Sequence, residues 1–209
     1  MFRLDTTGTE TVLHGFTGGA DGGTPMASLA RDAAGNLYGT TSVGGIHDRG
    51  TVFKVDPTGA ETVLYNFTGG ADGGYPYSPL IRDAAGKLYG TTHVGGTYGF
   101  GAVFKVAATG AETVLYSFRG GTDGRFPEAG LVRDLLRNLY GTTNRGGAFE
   151  NGVVFKLDTT GKETVLRTLA ESDGANPVSG LVMDISGNLY GTTFAGGIYR
   201  RGVVFKLKP

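Results

Sequence analysis

Residues with the chemistry for catalysis or metal binding are few in this sequence. It contains three histidines, His14, His47 and His93, and no cysteine. No two histidines have the HxH or HExxH spacing of paired metal ligands, and neither a GxSxG elbow nor a phosphate-binding loop is present. His47 and His93 fall in neighbouring long loops, so a shared site is one interpretation and solvent-exposed loop histidines are the other. The sequence therefore predicts no catalytic residues.

Four aspartates recur beside glycines and are the weak candidates for a metal. Asp21, Asp72, Asp123 and Asp173 stand in GADGG, GADGG, GTDGR and ESDGA. Calcium needs several hard oxygen ligands from one flexible loop, whereas each of these loops offers a single carboxylate. Turn capping is the simpler interpretation. We therefore predict no metal and no cofactor, with calcium at these aspartates as the alternative.

Variation along the chain concentrates in four long loops, SVGGIHDRG, HVGGTYGFG, NRGGAFENG and FAGGIYRRG. The glycines recur, while aromatic, amide and charged residues change between them. Binding residues lie on loops that rigid elements hold, so these loops predict a recognition surface for carbohydrate or exposed peptide. Neutral variation of surface loops is the alternative. The candidate ligand-binding residues are His47, Asp48, Arg49, His93, Tyr98, Phe100, Asn144, Arg145, Phe149, Glu150, Phe194, Tyr199 and Arg200.

The elements that must position these loops repeat along the chain. Phe53, Phe104, Phe155 and Phe205 are separated by 51, 51 and 50 residues, and each unit contains four β-prone runs, as in PLIRD, KLYGTT, GAVFKV and ETVLYSF. Tight turns such as DAAGN and DPTGA join the first run to the second and the third to the fourth. Antiparallel strands connected in this way carry both tight turns at one end, the tight-turn face, and both long loops at the other, the long-loop face.

This pattern predicts an all-β fold, a β-propeller of about four four-stranded antiparallel blades in a single domain, 1–209. A β-solenoid is the alternative, but its short parallel rungs do not fit the hairpin turns. The full blades are predicted at 25–67, 76–118 and 127–169, and the last blade at 177–209. The first strands, LARD, LIRD, LVRD and LVMD, are expected to line the central channel.

The recurring LYGTT segment is predicted to serve architecture rather than chemistry. Its side chains alternate between the two faces of the strand. We expect the tyrosines in the core between blades and the glycines beside a large ring of a neighbouring blade. These residues are Tyr38, Tyr89, Tyr140 and Tyr190, and Gly39, Gly90, Gly141 and Gly191.

Two sets of charged residues are predicted to form ion pairs. Arg31, Arg82 and Arg133 are each followed by an aspartate, which we expect to neutralise the arginine near the tight-turn face. In the second set, lysine and glutamate are predicted to pair across the tight hairpin. These residues are Lys54, Lys105 and Lys156, and Glu61, Glu112 and Glu163.

The ends of the chain predict how the ring closes. The last blade lacks a fourth strand, and residues 1–16 contain copies of a third and a fourth strand. We expect residues 10–16 to complete the last blade and close a monomeric four-bladed ring. The alternative is a homodimer in which two chains exchange this strand and form an eight-bladed ring.

Composition excludes several classes of partner. Nineteen basic residues balance nineteen acidic ones, so no nucleic-acid-binding charge is present. The chain has no apolar run of transmembrane length and no signal peptide at its start. An enzyme should carry non-repeated acid and base groups at the channel mouth, whereas a binding module should carry aromatics spread among loops. We favour the binding module, and an extracellular lyase or glycan hydrolase is the alternative.

The combined motif of LYGTT, GG, G[TAV]VFK and DG..P resembles the Gloeo/Verruco, or GloVer, tandem repeat of bacterial surface proteins over essentially all 209 residues. The resemblance implies a secreted repeat protein, extracellular or at the cell surface, with no assigned activity and no catalytic residues. The chain departs from that pattern because it has neither a signal peptide nor a C-terminal anchor. The extracellular expectation therefore comes from the resemblance alone.

Overall fold

The computed structural model describes residues 1–209, nearly all of them in antiparallel strands and the loops between. An N-terminal hairpin comprises β1 (Phe2–Leu4) and β2 (Glu10–Val12). The first blade comprises β3 (Ala30–Arg31), β4 (Leu37–Thr41), β5 (Thr51–Val55) and β6 (Glu61–Asn66). The second comprises β7 (Ile81–Arg82), β8 (Leu88–Thr92), β9 (Ala102–Val106) and β10 (Glu112–Ser117).

The third blade comprises β11 (Val132–Arg133), β12 (Leu139–Thr143), β13 (Val153–Leu157) and β14 (Glu163–Thr168). A 3-10 turn, Glu171–Asp173, precedes the last blade, which has three strands, β15 (Val182–Met183), β16 (Leu189–Thr192) and β17 (Val204–Leu207). Strands within each sheet follow chain order. The predicted all-β propeller of four-stranded antiparallel blades is thereby confirmed.

Short turns connect the outer pair of strands because aspartate and glycine satisfy the turn geometry. Asp56 Oδ1 accepts hydrogen bonds from the backbone N–H groups of Thr58, at 2.8 Å, and Ala60, at 3.0 Å. Gly59 has a φ of 93°, a conformation that glycine adopts without steric cost. The same turn chemistry recurs at Asp158, so the tight-turn face is built from repeated local signals.

The hydrophobic core lies between blades. Phe67, which follows β6, packs edge-on against Phe104 of the second blade with ring centroids 5.0 Å apart. Phe118 makes the corresponding contact with Phe155 at 5.2 Å. Phe16, at the end of the N-terminal hairpin, contacts the first blade in the same way. The first three junctions therefore use one aromatic contact at the same position of the repeat, and the junction with the last blade has the buried Leu169 at this position.

The tyrosines of LYGTT pack in these junctions where a following blade covers them. Tyr89 is buried in a cluster with Leu131 and Phe155 of the third blade, and its hydroxyl donates to Asp83 at 3.0 Å. The hydroxyl of Tyr140 bonds to Asp134 in the same way. Buried tyrosine hydroxyls need a partner, and the tight-turn aspartate supplies it.

The glycines of LYGTT leave room for a ring of their own blade, which corrects the prediction of a neighbouring blade. A Cβ at Gly90 would lie 2.7 Å from Cζ of Phe104 and 2.9 Å from Cδ2 of Leu80. Phe104 is the cross-strand partner of Gly90 on β9. Antiparallel partners share one face of the sheet, so the phenylalanine ring lies directly over the glycine.

Of the three arginines predicted to pair with the following aspartate, Arg133 alone forms an ion pair, and its partner belongs to another blade. Arg133 lies 3.6 Å from Asp83 of the preceding blade, and its guanidinium stacks over Tyr89 at 5.2 Å from the ring centre. Its sequence neighbour Asp134 instead accepts hydrogen bonds in its own turn. The arginine thus links two blades.

The lysine–glutamate pairs across the tight hairpin are absent. Lys54 stands opposite Thr62, and Glu61 stands opposite Val55. Because alternate residues of a strand face opposite sides of the sheet, this register sends the two charges to different faces. The glutamates turn into the junction between blades.

The predicted closure by residues 10–16 is not observed. β2 pairs with β1, and β17 pairs with β16 alone. The β1–β2 hairpin closes over the short turn at residues 5–9, whereas pairing β2 with β17 requires the two ends of the chain to meet, at a larger cost in chain entropy.

We predict that Gly90→Ala lowers the free energy of unfolding by about 1–3 kcal/mol, because its Cβ overpacks the space that Phe104 fills. Gly90→Val should destabilise the fold further. Urea denaturation measures both changes. Gly121→Ala is the matched control, since a Cβ there meets nothing within 4 Å. Equal stabilities for Gly90→Ala and Gly121→Ala would contradict the assigned packing.

Candidate functional site

The first strands of the blades converge and line a central channel. A cavity of about 500 Å³ is bordered by residues 81–83, 131–133 and 181–183, which come from three successive blades. Each first strand starts at the long-loop face and each second strand ends there. Residues just before a first strand and just after a second strand therefore surround the channel mouth on the long-loop face.

Four polar residues from three blades connect at this mouth, and we call them the mouth network. Nδ1 of His93 lies 3.3 Å from Oε1 of Glu128. The Nδ2 group of Asn144 donates to the other Glu128 oxygen at 3.0 Å. Asn176 Nδ2 donates in turn to the backbone oxygen of Asn144 at 3.0 Å. The hydrogen bond from Asn144 thus positions Glu128, which lies within ion-pair distance of His93, and the buried His93 Nδ1 has no hydrogen-bond partner.

Aromatic rings enclose the histidine of the mouth network. The His93 ring stacks on Phe126 at 4.9 Å between centroids with an interplanar angle of 26°, and Tyr77 lies against it at 5.2 Å. About a quarter of the side-chain surface of both His93 and Glu128 remains accessible. An imidazole and a carboxylate are therefore held in an aromatic setting that solvent still reaches.

The mouth network is not part of the structural repeat. The positions that correspond to His93 hold Ser42, Asn144 and Phe194, and those that correspond to Glu128 hold Met26, Tyr77 and Val178. The core positions, in contrast, keep the same residue types from blade to blade. An acid and a base thus meet at one place only around the channel.

The electrostatic setting keeps Glu128 ionised. The contact with His93 lowers the pKa of Glu128 most, and the hydrogen bond from Asn144 lowers it further, against the opposing effect of burial. A carboxylate in this state accepts hydrogen bonds and carries negative charge at neutral pH. It suits orienting His93 or binding a ligand donor, rather than donating a proton.

Backbone hydrogen bonds hold the aromatic residue at the mouth in a strained conformation. Phe126 has a φ of 57° and Asn176 one of 56°, which are costly for residues with a Cβ. The N–H of Phe126 donates to the carbonyl of Phe100 in the preceding blade at 2.9 Å, and its carbonyl accepts from Asn144 N–H at 3.1 Å. These two bonds compensate the strain and anchor the ring between blades.

Several predicted ligand-binding residues form a second ring of contacts outside the mouth network. The Arg49 guanidinium lies 5.1 Å from the ring centre of Tyr75. Phe100 packs against Phe126 at 6.0 Å. Glu150 forms a 2.7 Å ion pair with Arg125. The first two contacts join a variable loop to the connection that enters the next blade, and the third joins the loop of the third blade to the connection that enters the same blade.

The other predicted residues lie at the loop tips or have structural contacts. His47, Tyr98, Arg145, Phe149, Phe194 and Tyr199 are exposed. Asp48 accepts a hydrogen bond from Gly44 N–H at 2.9 Å, and Arg200 pairs with Glu171 at 3.3 Å. The structure thus brings His93 and Asn144 together, places the aromatics on the rim, and leaves His47 apart from His93.

Sequence reasoning missed Tyr77, Phe126, Glu128 and Asn176. These residues lie in the connections between blades, GYPY, GRFPE and GANPV, which also contain the recurring aspartates. The signal was present, because the residues around the proline of these connections also vary from blade to blade. Only the strand directions show that this connection and the variable loop meet at one mouth.

The recurring aspartates cap their own loops. Asp72 accepts hydrogen bonds from Thr68 N–H at 2.8 Å and from the Tyr65 hydroxyl at 2.9 Å. Asp123 makes the corresponding contacts with Arg119 N–H and the Tyr116 hydroxyl. No three histidine, aspartate or glutamate side chains converge on one point.

Two partly buried glutamates, Glu112 and Glu163, lie near these aspartates. One oxygen each of Glu112 and Glu163 is buried and has no hydrogen-bond partner. Desolvation, followed by repulsion from Asp72, raises the pKa of Glu112 to about 7. Desolvation and Asp123 raise the pKa of Glu163 to about 7. These groups recur at successive blade junctions on the outer side of the ring, away from the mouth network.

The chain belongs to the Gloeobacter/Verrucomicrobia repeat family, whose family model matches residues 1–205. This confirms the resemblance seen in the sequence. No curated protein matches the chain. Among the protein's elements there is also no helix with the length and apolar character needed to cross a membrane.

Solved structures with similar folds include two gluconolactonases and one extracellular domain. The chain is 17% identical to a periplasmic gluconolactonase of Pseudomonas aeruginosa, with a TM-score of 0.56 over 100% of this chain and 64% of that one. A gluconolactonase of Xanthomonas campestris matches with 14% identity and a TM-score of 0.53 over 87% and 61%.

The extracellular domain comes from a Bacteroides thetaiotaomicron protein described as a hybrid two-component system. It is 13% identical, with a TM-score of 0.58 over 87% of this chain and 20% of that one. The chain thus spans less than two thirds of the solved structures that it matches. At these identities the likeness shows the propeller fold.

We predict that stability falls as the pH rises from about 5 to 7.5. The pKa values of Glu112 and Glu163 are raised from 4.5 to about 7, so the folded state keeps protons that the unfolded chain releases. The stabilisation is therefore complete below about pH 4.5 and is lost through pH 7. The double variant E112Q/E163Q should melt at a higher temperature than the parent at pH 7.5. Its melting temperature should also fall less than that of the parent between pH 5 and pH 7.5.

Glu171→Gln is the control, because this glutamate is exposed in the connection between the third and last blades. It should leave the pH profile of the melting temperature unchanged. If E112Q/E163Q and the parent show the same profile from pH 5 to 7.5, the two glutamates do not carry the effect.

Proposed function

We propose that this chain is a recognition module that binds carbohydrate or exposed peptide on its long-loop face, without catalysing a reaction on it. The observation that carries the proposal is the contrast between a repeated core and a varied long-loop face. On that face exposed aromatic rings surround a polar network that three blades hold in place. In binding sites on repeat scaffolds, a rigid repeated core positions variable loops, and the loops contact the ligand.

The aromatic rim supports ligand binding. Tyr98, Phe149 and Tyr199 occupy the same position in three successive loops and are exposed. Solvent-exposed large aromatics cost free energy unless a ligand covers them, and a tyrosine adds a hydroxyl for hydrogen bonding. Arg119 lies 5.6 Å from the ring centre of Tyr98 and holds that ring at the surface.

The mouth network favours carbohydrate over peptide. Glu128 and Asn144 offer fixed acceptors and donors, and Tyr98, Phe149 and Tyr199 offer exposed aromatic rings on the rim. A sugar ring presents hydroxyl groups at its edge and C–H groups on its face, which match fixed polar groups and an aromatic plane. The ligand is expected to extend from the rim toward the channel mouth.

The extracellular or cell-surface location is part of the same proposal. It is supported by the family's resemblance to bacterial surface repeats, by the periplasmic location named for the Pseudomonas aeruginosa structure and by the extracellular domain of Bacteroides thetaiotaomicron. Polysaccharides and exposed peptides are abundant in these compartments.

We predict that the triple variant Y98A/F149A/Y199A folds normally and loses at least about tenfold in affinity for the glycan that binds the parent, since tenfold corresponds to about 1.4 kcal/mol. A glycan array identifies that ligand, and calorimetry measures the dissociation constant. Ile185→Ala is the control, because it removes an exposed apolar side chain from the tight-turn face. Unchanged affinity in the triple variant would place the binding site elsewhere.

An enzyme with its site at the same mouth is the second candidate, and the His93–Glu128 pair favours it. Glu128 faces Nδ1 of His93, which leaves Nε2 for proton transfer with a substrate. Two similar solved structures are named gluconolactonases, so a sugar lactone is the first substrate to test. The pair supports hydrolysis or proton abstraction better than glycoside hydrolysis, because its carboxyl pKa is lowered rather than raised.

We expect no turnover of gluconolactone above the buffer rate, measured by proton release at constant pH. If turnover is found, His93→Asn should abolish it while Tyr98→Ala leaves it nearly intact. That result would replace the binding proposal with catalysis at the mouth network. Ligand binding without turnover supports the recognition module.

A further inference from the structure

The two ends of the blade array expose faces that are buried at every internal junction. Each blade has a trailing face, which covers the next blade, and a leading face, which the preceding blade covers. On the trailing face Val52, Val103 and Val154 are each 0% exposed, whereas the corresponding Val204 of the last blade is 80% exposed. The last blade thus presents an uncovered copy of an interior surface.

The leading face of the first blade is also incompletely covered. Leu80 and Leu131 are 4% and 3% exposed at their junctions, whereas the corresponding Leu29 is 39% exposed. The reason is that only the two strands of the N-terminal hairpin precede the first blade. The hairpin supplies the Phe16 contact but no first or second strand, so the region around Leu29 has no cover.

The strand edges at the two ends of the blade array also match each other. β5, β9 and β13 each pair with a strand on both sides, whereas β17 pairs only with β16. On β2 the place of a third strand is taken by β1, with Phe2 opposite Val12 and Leu4 opposite Glu10. The third strand of the first blade has the same register on β6. β1 and β17 therefore fit the same place on β2.

The structure favours a second chain over the chain's own N-terminus as the source of β2. Val204 is exposed although β2 belongs to the same molecule, so the ends do not cover each other. A second copy carries a surface complementary to each of these ends: its β2 matches the free edge of β17, and its first blade matches the exposed face around Val204.

We propose that two copies of this chain exchange β2. β17 of one copy displaces β1 from β2 of the other, with Phe205 opposite Val12, Lys206 opposite Thr11 and Leu207 opposite Glu10. The last blade of each copy gains its fourth strand, and the first blade of the partner covers Val204 while its own Leu29 becomes buried. Each copy then contributes four blades, and two copies close an eight-bladed ring, within the size range of propellers.

Cysteine cross-linking tests this pairing directly, because the chain has no cysteine of its own. Thr11 and Lys206 are exposed, and directly opposed residues of antiparallel strands lie close enough for a disulfide. A mixture of a T11C chain and a K206C chain, refolded together and oxidised, should give a mixed disulfide dimer as the main product. Neither chain alone should give more than a trace of dimer.

Two doubly substituted chains distinguish the source of the strand. T11C/K206C should form disulfides between chains. A disulfide within one chain would show closure by the chain's own N-terminus and overturn the proposal, and so would the absence of any disulfide. R3C/T11C is the matched control, since it reports the β1–β2 pair within one chain. In the dimer, the disulfide between positions 3 and 11 of one chain should be a minor product. If this intrachain disulfide is the main product, the strand exchange is wrong.

Complementary surface variants test the junction without cysteines. Val204→Glu damages the trailing face and Leu29→Glu the leading face, and both sites are already exposed in the single chain. Each variant alone should sediment as a monomer, whereas an equimolar mixture should regain a dimer through one intact junction. Ile185→Glu, on the tight-turn face, should dimerise like the parent. A monomeric parent, or dimers of each variant alone, would overturn the proposal.

Discussion

The need to cover both faces of every blade governs this structure. A four-stranded blade has apolar side chains on its two faces, and neither face is buried by the blade itself. The Phe67–Phe104 contact and its counterparts meet this need at the first three junctions, and the buried Leu169 takes this position at the last one. Full burial of one such side chain contributes about 1.5–3 kcal/mol. The glycine of LYGTT, the neighbouring phenylalanine and the buried tyrosine are consequences of packing sheets at a fixed separation, and they recur because the separation recurs.

The same constraint decides where the molecule varies. Residues in the junctions must fit identical neighbours, whereas the long loops only have to connect strands. Chemical variety therefore collects on the long-loop face, and the convergence of the inner strands brings part of it to the channel mouth. There His93 and Glu128 meet across a blade boundary. The Phe126 ring stacks on the His93 ring, and two backbone hydrogen bonds anchor Phe126 in its strained conformation. A rigid repeated scaffold thus presents one non-repeated cluster.

The ionisable groups separate into satisfied and unsatisfied sets. Aspartates of the tight turns accept several hydrogen bonds, and these bonds, chiefly that from Asn36, lower the pKa of Asp32 to about 2. Glu112 and Glu163 are taken from water at the junctions without such partners, and their pKa values rise to about 7. Turn formation thus lowers the pKa of carboxyl groups, whereas burial between blades raises it. The packing gain at the junctions outweighs the electrostatic cost of a few buried carboxyls.

The repeat, the four strands of each blade, the tight turns and the propeller class follow from the amino-acid sequence alone, because they depend on local patterns such as alternating side chains and Asp–Gly turns. The assignment of the variable loops to one face also follows from the sequence. Which residues meet across blades is known only from the folded structure. Arg133 pairs with Asp83 of another blade, Lys54 stands opposite Thr62, and His93 meets Glu128, a residue that the sequence did not single out. β2 likewise joins β1 and not the last blade. Such contacts depend on strand register and on the angle between blades, and the sequence of a single repeat specifies neither quantity.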